Sequence, residues 1–234
     1  MWDNFLFAVF PYIALTIGIA GTIYRYNTNR YSWSSQSSQF LENKTLFYGS
    51  VPWHYGMVII LVMHILVIIF PGVLLAWNGS TFRLYLLELS GLALGFLTLF
   101  GLIVLIYRRL TNSRIRVVTT SWDIVVLVVL AIQVLTGVIN AIFYRWGSSW
   151  YAATAVPWIW SILTFRPDPS MIATLPVNTK IHIFNAMLII GLIPFTRFVH
   201  FLAFIGPLKY INRSYQLVRW YNRNPKTEAI RQYK

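Results

Sequence analysis

The sequence contains no cysteine. Disulfides, thiolate-bound metals and iron–sulfur clusters held by this chain are therefore excluded, and no C-x-x-C-H is present to attach haem covalently. Charge is scarce: 11% of the 234 residues, with six acidic side chains, Asp3, Glu42, Glu88, Asp123, Asp168 and Glu228. Histidine is scarcer still, with four residues in all. No internal repeat and no low-complexity tract appears.

Apolar surface is abundant, at 57% hydrophobic and 17% aromatic residues, well outside the soluble range. Five stretches are long and apolar enough to cross a bilayer, over 5–24, 55–76, 84–107, 122–144 and 181–205. The expected fold class is all-α, a multi-pass integral membrane bundle of five transmembrane helices over 1–206, followed by a basic tail over 207–234. Before Phe5 the only charged side chain is Asp3. That lacks the basic region of a cleaved secretory signal, so the first span is expected to stay in the mature protein.

Lysine and arginine set the orientation. One side of a five-span chain receives Arg25, Arg30, Lys44, Arg108, Arg109, Arg114, Arg116 and the cations of the tail; the other receives Arg83, Arg145, Arg166 and Lys180. The asymmetry puts the N-terminus outside and the C-terminal tail in the cytoplasm. The formal charge of +13 is then mostly a topology signal. These cations edge membrane spans, so no nucleic-acid partner is expected; anionic lipid of the bilayer or a cytoplasmic protein fits better. The segment from Arg145 to Pro176, with VPWIW and RPDPS inside it, reads as an interfacial piece with short helices that lids the outer surface. NGS at Asn78 reads as a turn between spans.

All four histidines, His54, His64, His182 and His200, fall in or beside the second and fifth expected spans, and ionisable residues in spans are functional candidates by default. His182 and His200 lie 18 residues apart, expected on one helix face about 27 Å apart along its axis; His54 and His64 are separated by about 15 Å. The two spans run in opposite directions, so His54 comes level with His200 near the inner surface and His64 lies toward His182. A zinc site gathers three or four ligands at one point. Two imidazoles at each of two levels match the axial ligands of two noncovalent, b-type haems, with all four histidines on haem iron. Arg197, three residues before His200, and Arg108 and Arg109 at the end of the third span are candidate partners for haem propionates. Hydrogen-bonded core histidines and ordinary cationic anchoring are the competing readings.

The chain also resembles the gamma subunit of respiratory nitrate reductase, a dihaem membrane cytochrome b. The resemblance rests on PYIA, on RY followed by SSQF, on RRL with RVVTTSWDI, on PFTRFVH and on YQLVR, in order along the chain. It implies His54 with His200 on the inner haem and His64 with His182 on the outer. It further implies quinol oxidation near the outer haem at the cell membrane, and electron flow to an iron–sulfur beta subunit. A molybdenum-containing alpha subunit then reduces nitrate in the cytoplasm. Where the family uses a lysine at its quinol site, this chain has Arg83, whose fork of donors differs from an ammonium; Arg83 is the candidate quinol contact, an interfacial anchor the alternative. Three rivals stand beside this reading: a haem subunit of a nitrite oxidoreductase or other molybdenum enzyme with reversed electron flow, a histidine-lined transporter, and an inert anchor.

Overall fold

A computed structural model describes residues 2–29, 32–33 and 37–203; the basic tail over 207–234 lies outside them. The chain is helical, and among the described residues five helices are long and apolar enough to span a membrane: α1 (Trp2–Thr28), α2 (Lys44–Ile69), α3 (Thr81–Thr111), α4 (Ser121–Phe143) and α5 (Val177–Phe195). Hydropathy thus located every span, and the chain is a multi-pass membrane protein.

Two spans differ most from expectation, and proline ends the regular helix in both. The second starts at Lys44 rather than Tyr55, because the Glu42 carboxylate accepts from the backbone N–H groups of Thr45 (2.7 Å) and Leu46 (3.2 Å) and so satisfies the donors of a first turn. It ends at Phe70, which leaves the helical region (φ −127°, ψ 57°) ahead of Pro71, as a residue before proline tends to do. The chain restarts as the short helix Pro71–Asn78. The fifth was expected to continue through His200. Instead α5 is helical over Val177–Leu192, tightens to a 3₁₀ turn at Ile193–Phe195 around Pro194, and gives way to extended backbone at Thr196 (φ −121°, ψ −179°) before a short helix Val199–Ala203. His182 and His200 therefore do not share one continuous helix, and the expectation of a common face is corrected.

Carbonyls freed inside a membrane must find donors. Arg25, from α1, supplies them: its Nη1 donates to the carbonyls of Pro194 (2.8 Å) and Thr196 (2.7 Å), and Thr196 Oγ1 donates to the carbonyl of Leu192 (2.9 Å). The break is a built turn with its polar groups paired.

The spans pack in the order α1–α5–α4–α3–α2. The α2–α3 contact is the tightest, because glycines let the backbones approach: a Cβ on Gly101 would lie 2.5 Å from the Trp53 backbone nitrogen, and one on Gly56 would collide with Thr98 Oγ1. No comparable packing joins α2 to α1 or α5, so the described helices form an arc with a seam between its ends. At one end of the seam stand Arg25, Arg108, Arg109 and Arg197, hereafter the basic end. At the other the segment after α4 bridges it with aromatic side chains.

That bridging segment comprises Gly147–Trp150, a π-helical turn Tyr151–Ala155, Val156–Leu163 and Ser170–Ala173. Trp158 and Ile162 pack with Phe7 of α1 and Ile183 of α5, and the Trp158 indole donates to the Phe7 carbonyl (2.9 Å). Ala152 and Val156 pack against Val67 of α2 and Leu74, and Trp160 donates to the Ile68 carbonyl (3.0 Å). Short helical pieces were expected here; the structure adds that they tie the arc's two ends together.

Candidate histidine sites between the helices

Three of the four histidines are oriented by their own helix. His54 Nδ1–H donates to the Ser50 carbonyl (2.7 Å), His64 Nδ1–H to the Ile60 carbonyl (2.8 Å) and His200 Nδ1–H to the Arg197 carbonyl. A carbonyl can only accept, so the proton sits on Nδ1 in each, and Nε2 keeps a free lone pair. Among the described residues no hydrogen bond engages Nε2 of these three. All three residues keep accessible surface. Metal-binding imidazoles show the same arrangement, one nitrogen held by a carbonyl and the other left to the metal.

His54 and His200 come together at the basic end with ring centroids 6.4 Å apart and planes crossed at 70°. Two imidazoles on opposite sides of one metal atom, each bound at about 2 Å, put their centroids about 6.3 Å apart. No hydrogen bond joins the two rings, so their spacing is set by α2 and by the turn after α5. Among the described residues no three His, Cys, Asp or Glu side chains gather in one place. The donor set therefore suits a group that brings its other ligands with it, as a haem macrocycle does.

The other two histidines do not meet ring to ring. His64 lies edge-on to Tyr151 (5.0 Å between centroids), whose hydroxyl donates to the His64 carbonyl (3.3 Å). His182 is turned toward α4, where Thr136 Oγ1 stands 3.0 Å from its Nδ1 and Gln133 Nε2 stands 3.1 Å from its Nε2.

The arginines singled out in the sequence also have definite partners. Arg197 binds Asp123 through both ends of its fork (2.8 and 2.9 Å), and Arg109 reaches the same carboxylate at 3.2 Å and the Thr119 hydroxyl at 3.0 Å. Asp123 itself closes a capping box with Thr120 at the start of α4. The cluster carries two cations on one buried anion, a net positive charge beside His200. Arg108, read with Arg109 from the sequence, is 4% exposed and committed elsewhere, to Glu42 (2.6 Å) and the Ser38 hydroxyl (3.0 Å). Arg83 is exposed; it donates to the carbonyls of Trp77 (2.9 Å) and Ala76 (3.2 Å) and stacks over the Trp77 ring. Its Nη1 makes no hydrogen bond among the described residues. Lys180, at the same level, pairs with Asp3 (3.0 Å).

Sequence reasoning missed Asp123, Arg25, Gln133 and Thr136. Asp123 had a signal, since T-x-x-D ahead of an apolar run is a helix start. Arg25 reads as ordinary positive-inside charge, and neutral polar residues within a span carry no signal that says which neighbour they meet.

Helices in an arc, with His54 of α2 meeting His200 of the turn after α5 across its seam, define a membrane protein that presents a histidine pair. The profile of the nitrate reductase gamma subunit family matches residues 3–221. The chain is 38% identical to the nitrate reductase gamma chain of Bacillus subtilis over 94% of its own length and 99% of that protein. It is 34% identical to the respiratory nitrate reductase 2 gamma chain of Escherichia coli over 92% and 96%, and 32% identical to the respiratory nitrate reductase 1 gamma chain of the same organism over 93% and 97%. The chain belongs to the nitrate reductase gamma subunit family.

Proposed function

We propose that this chain is the membrane cytochrome b subunit of a respiratory nitrate reductase in the cell membrane, carrying electrons from quinol through two b-type haems toward cytoplasmic partners. The observation that carries the reading is the His54–His200 pair, with a 6.4 Å centroid spacing that suits one iron atom between two rings and with both Nε2 atoms unengaged. His54 and His200 would hold the haem of the basic end; His64 and His182 would hold the other, nearer the aromatic end. Bound there, the haems supply one-electron transfer across the low-dielectric span.

The protein's own residues do the rest. The carbonyls of Ser50, Ile60 and Arg197 fix three imidazole tautomers. Arg197 and Arg109 keep positive charge beside His200, suited to propionates, with Asp123 limiting their mutual repulsion. At the aromatic end Arg83 is held by two carbonyls with Nη1 remaining, a donor for a quinol oxygen at the lipid boundary. Quinol protons released at that end leave on the outer side, while electrons pass to the basic end. That end faces the cytoplasm by the rule that cations stay inside. With no cysteine, the chain cannot continue the path itself, so an iron–sulfur beta subunit receives the electrons and a molybdenum-containing alpha subunit reduces nitrate.

Membranes holding the full complex decide this by a reduced-minus-oxidised absorption spectrum with haem counted per chain. Two b-type haems are expected, one remaining in His200→Ala. Full haem content in that variant, or none in the unaltered chain, overturns the assignment. Quinol-driven haem reduction in Arg83→Ala, about tenfold slower on this reading and so about 1.4 kcal/mol in the barrier, tests the quinol contact separately.

A further inference from the structure

At the basic end a buried arginine holds an exposed phenylalanine in place. The turn over 38–42 precedes α2, and Arg108 of α3 donates to the Ser38 hydroxyl (3.0 Å) and carbonyl (3.2 Å) and to the Glu42 carbonyl (2.7 Å) and carboxylate (2.6 Å). The turn closes through the Leu41 N–H on the Ser38 carbonyl (3.1 Å), and Glu42 is tied on to the first turn of α2. Four bonds from one planar fork thus fix both ends of the turn, while Phe40 between them is fully exposed. A backbone already immobilised has lost the freedom that docking would otherwise cost.

The turn lies beyond the apolar interior of the bilayer. Arg83 and Arg108 stand 25 residues apart on α3, about 37 Å of helix, which at a tilt of about 20° still exceeds the roughly 30 Å of hydrocarbon. A groove of about 350 Å³ lined by Leu41, Glu42, Thr111, Asn112, Ser113 and Arg114 joins the turn to the loop after α3. On that loop Val117 is exposed, and Arg114 and Arg116 are exposed with no ion pair among the described residues. Charge disfavours two occupants of this surface. The chain's own tail over 207–234 has seven lysines and arginines against one glutamate, and a second copy would bring the same cations to a two-fold contact.

We propose that Phe40 is the anchor by which the basic end docks a water-soluble protein, one that offers an apolar socket ringed by carboxylates to meet Phe40 and the guanidinium groups of Arg114 and Arg116. The proposal rests on the reading of this chain as the membrane subunit of a larger enzyme, and it names where the soluble part of that enzyme is held. Large aromatic side chains at the centre of an interface carry a disproportionate share of its affinity, and surrounding charge sets partner choice and the rate of encounter.

The chain has no cysteine, so a sulfhydryl introduced beside the anchor can be labelled alone within it. The test uses inverted membrane vesicles holding the full complex, and the same vesicles after the soluble subunits have been stripped with a chaotropic salt, each treated with a water-soluble maleimide and resolved by electrophoresis. With Gln39→Cys, this chain should label rapidly in the stripped vesicles and be protected in the complex. Equal labelling in both overturns the proposal, and so does protection that persists after stripping, which places the turn in lipid. Phe40→Ala should weaken rebinding of the purified soluble subunits to stripped vesicles by at least about tenfold, as loss of an anchor residue does; a smaller loss overturns the assignment of Phe40. Vesicles in which no soluble subunit accompanies the unaltered chain overturn instead the reading beneath the proposal.

Discussion

The two ends of the bundle surround their histidines with different polar groups. At the basic end the polar contacts are ionic: Arg25 on the freed carbonyls of the α5 turn, Asp123 between Arg109 and Arg197, Glu42 on Arg108. Toward the aromatic end the side-chain contacts that reach a histidine are neutral, running through Asn140, Thr136, Gln133 and Asn185 to His182, with the indoles of Trp158 and Trp160 on helix carbonyls. Where the chain changes direction at a membrane edge, charge can be tolerated because water and headgroups are near. Along the spans, where desolvation of an ion is costly, amides and hydroxyls take over. The surroundings of a histidine thus differ between the two ends, ionic at one and neutral at the other.

Removing a charge should therefore cost more than removing a neutral group. Asp123→Ala leaves Arg109 and Arg197 facing each other without their shared anion, with an expected loss of about 3–5 kcal/mol in thermal unfolding of the detergent-solubilised chain. Arg25→Leu strips the donor from the Pro194 and Thr196 carbonyls, a loss of about 3 kcal/mol at the upper range for charged hydrogen bonds; displacement of His200 should appear as a changed spectrum of the haem proposed at His54 and His200. Asn140→Ala removes the shared acceptor of Asn178 and Thr179, leaving Asn178 its bond to the Thr136 carbonyl, and should cost about 2 kcal/mol. If Asn140→Ala proves as damaging as Asp123→Ala, the distinction between the ends collapses.

The smallest effect concerns pH. Burial pushes the Glu42 carboxyl up, but the Arg108 guanidinium and the amides of Thr45 and Leu46 outweigh it and hold the group below its ordinary value of 4.5. A depressed carboxylate stabilises the fold fully above its unfolded value and loses that contribution as pH falls through the folded one. Unfolding temperature should drop on acidification below pH 4.5, and Glu42→Gln should flatten that slope while lowering the plateau.

Hydropathy made the five spans legible because lipid crossing demands little beyond apolar length. It was blind to Pro71 and Pro194, whose neighbours are as greasy as any, so both spans were carried through a proline break, and it was blind to the Glu42 carboxylate that starts the second span eleven residues early. The His54–His200 meeting was legible because antiparallel spans bring those positions to one level whether or not the helix is broken. Partners of the other histidines were not. Whether Thr136 faces His182 depends on the rotation of α4 against α5, and that rotation is decided by packing that no single segment encodes.

The order of the helices around the arc has a consequence for synthesis. The seam lies between α1 and α2, neighbours in the chain, while α5, made last, is inserted beside α1 and opposite α2. His54 therefore leaves the ribosome long before His200 can face it. A nascent chain halted after α4 would carry one imidazole at each level and no partner for either. Possession of both members of a pair thus certifies that α5 and the turn after it have been made.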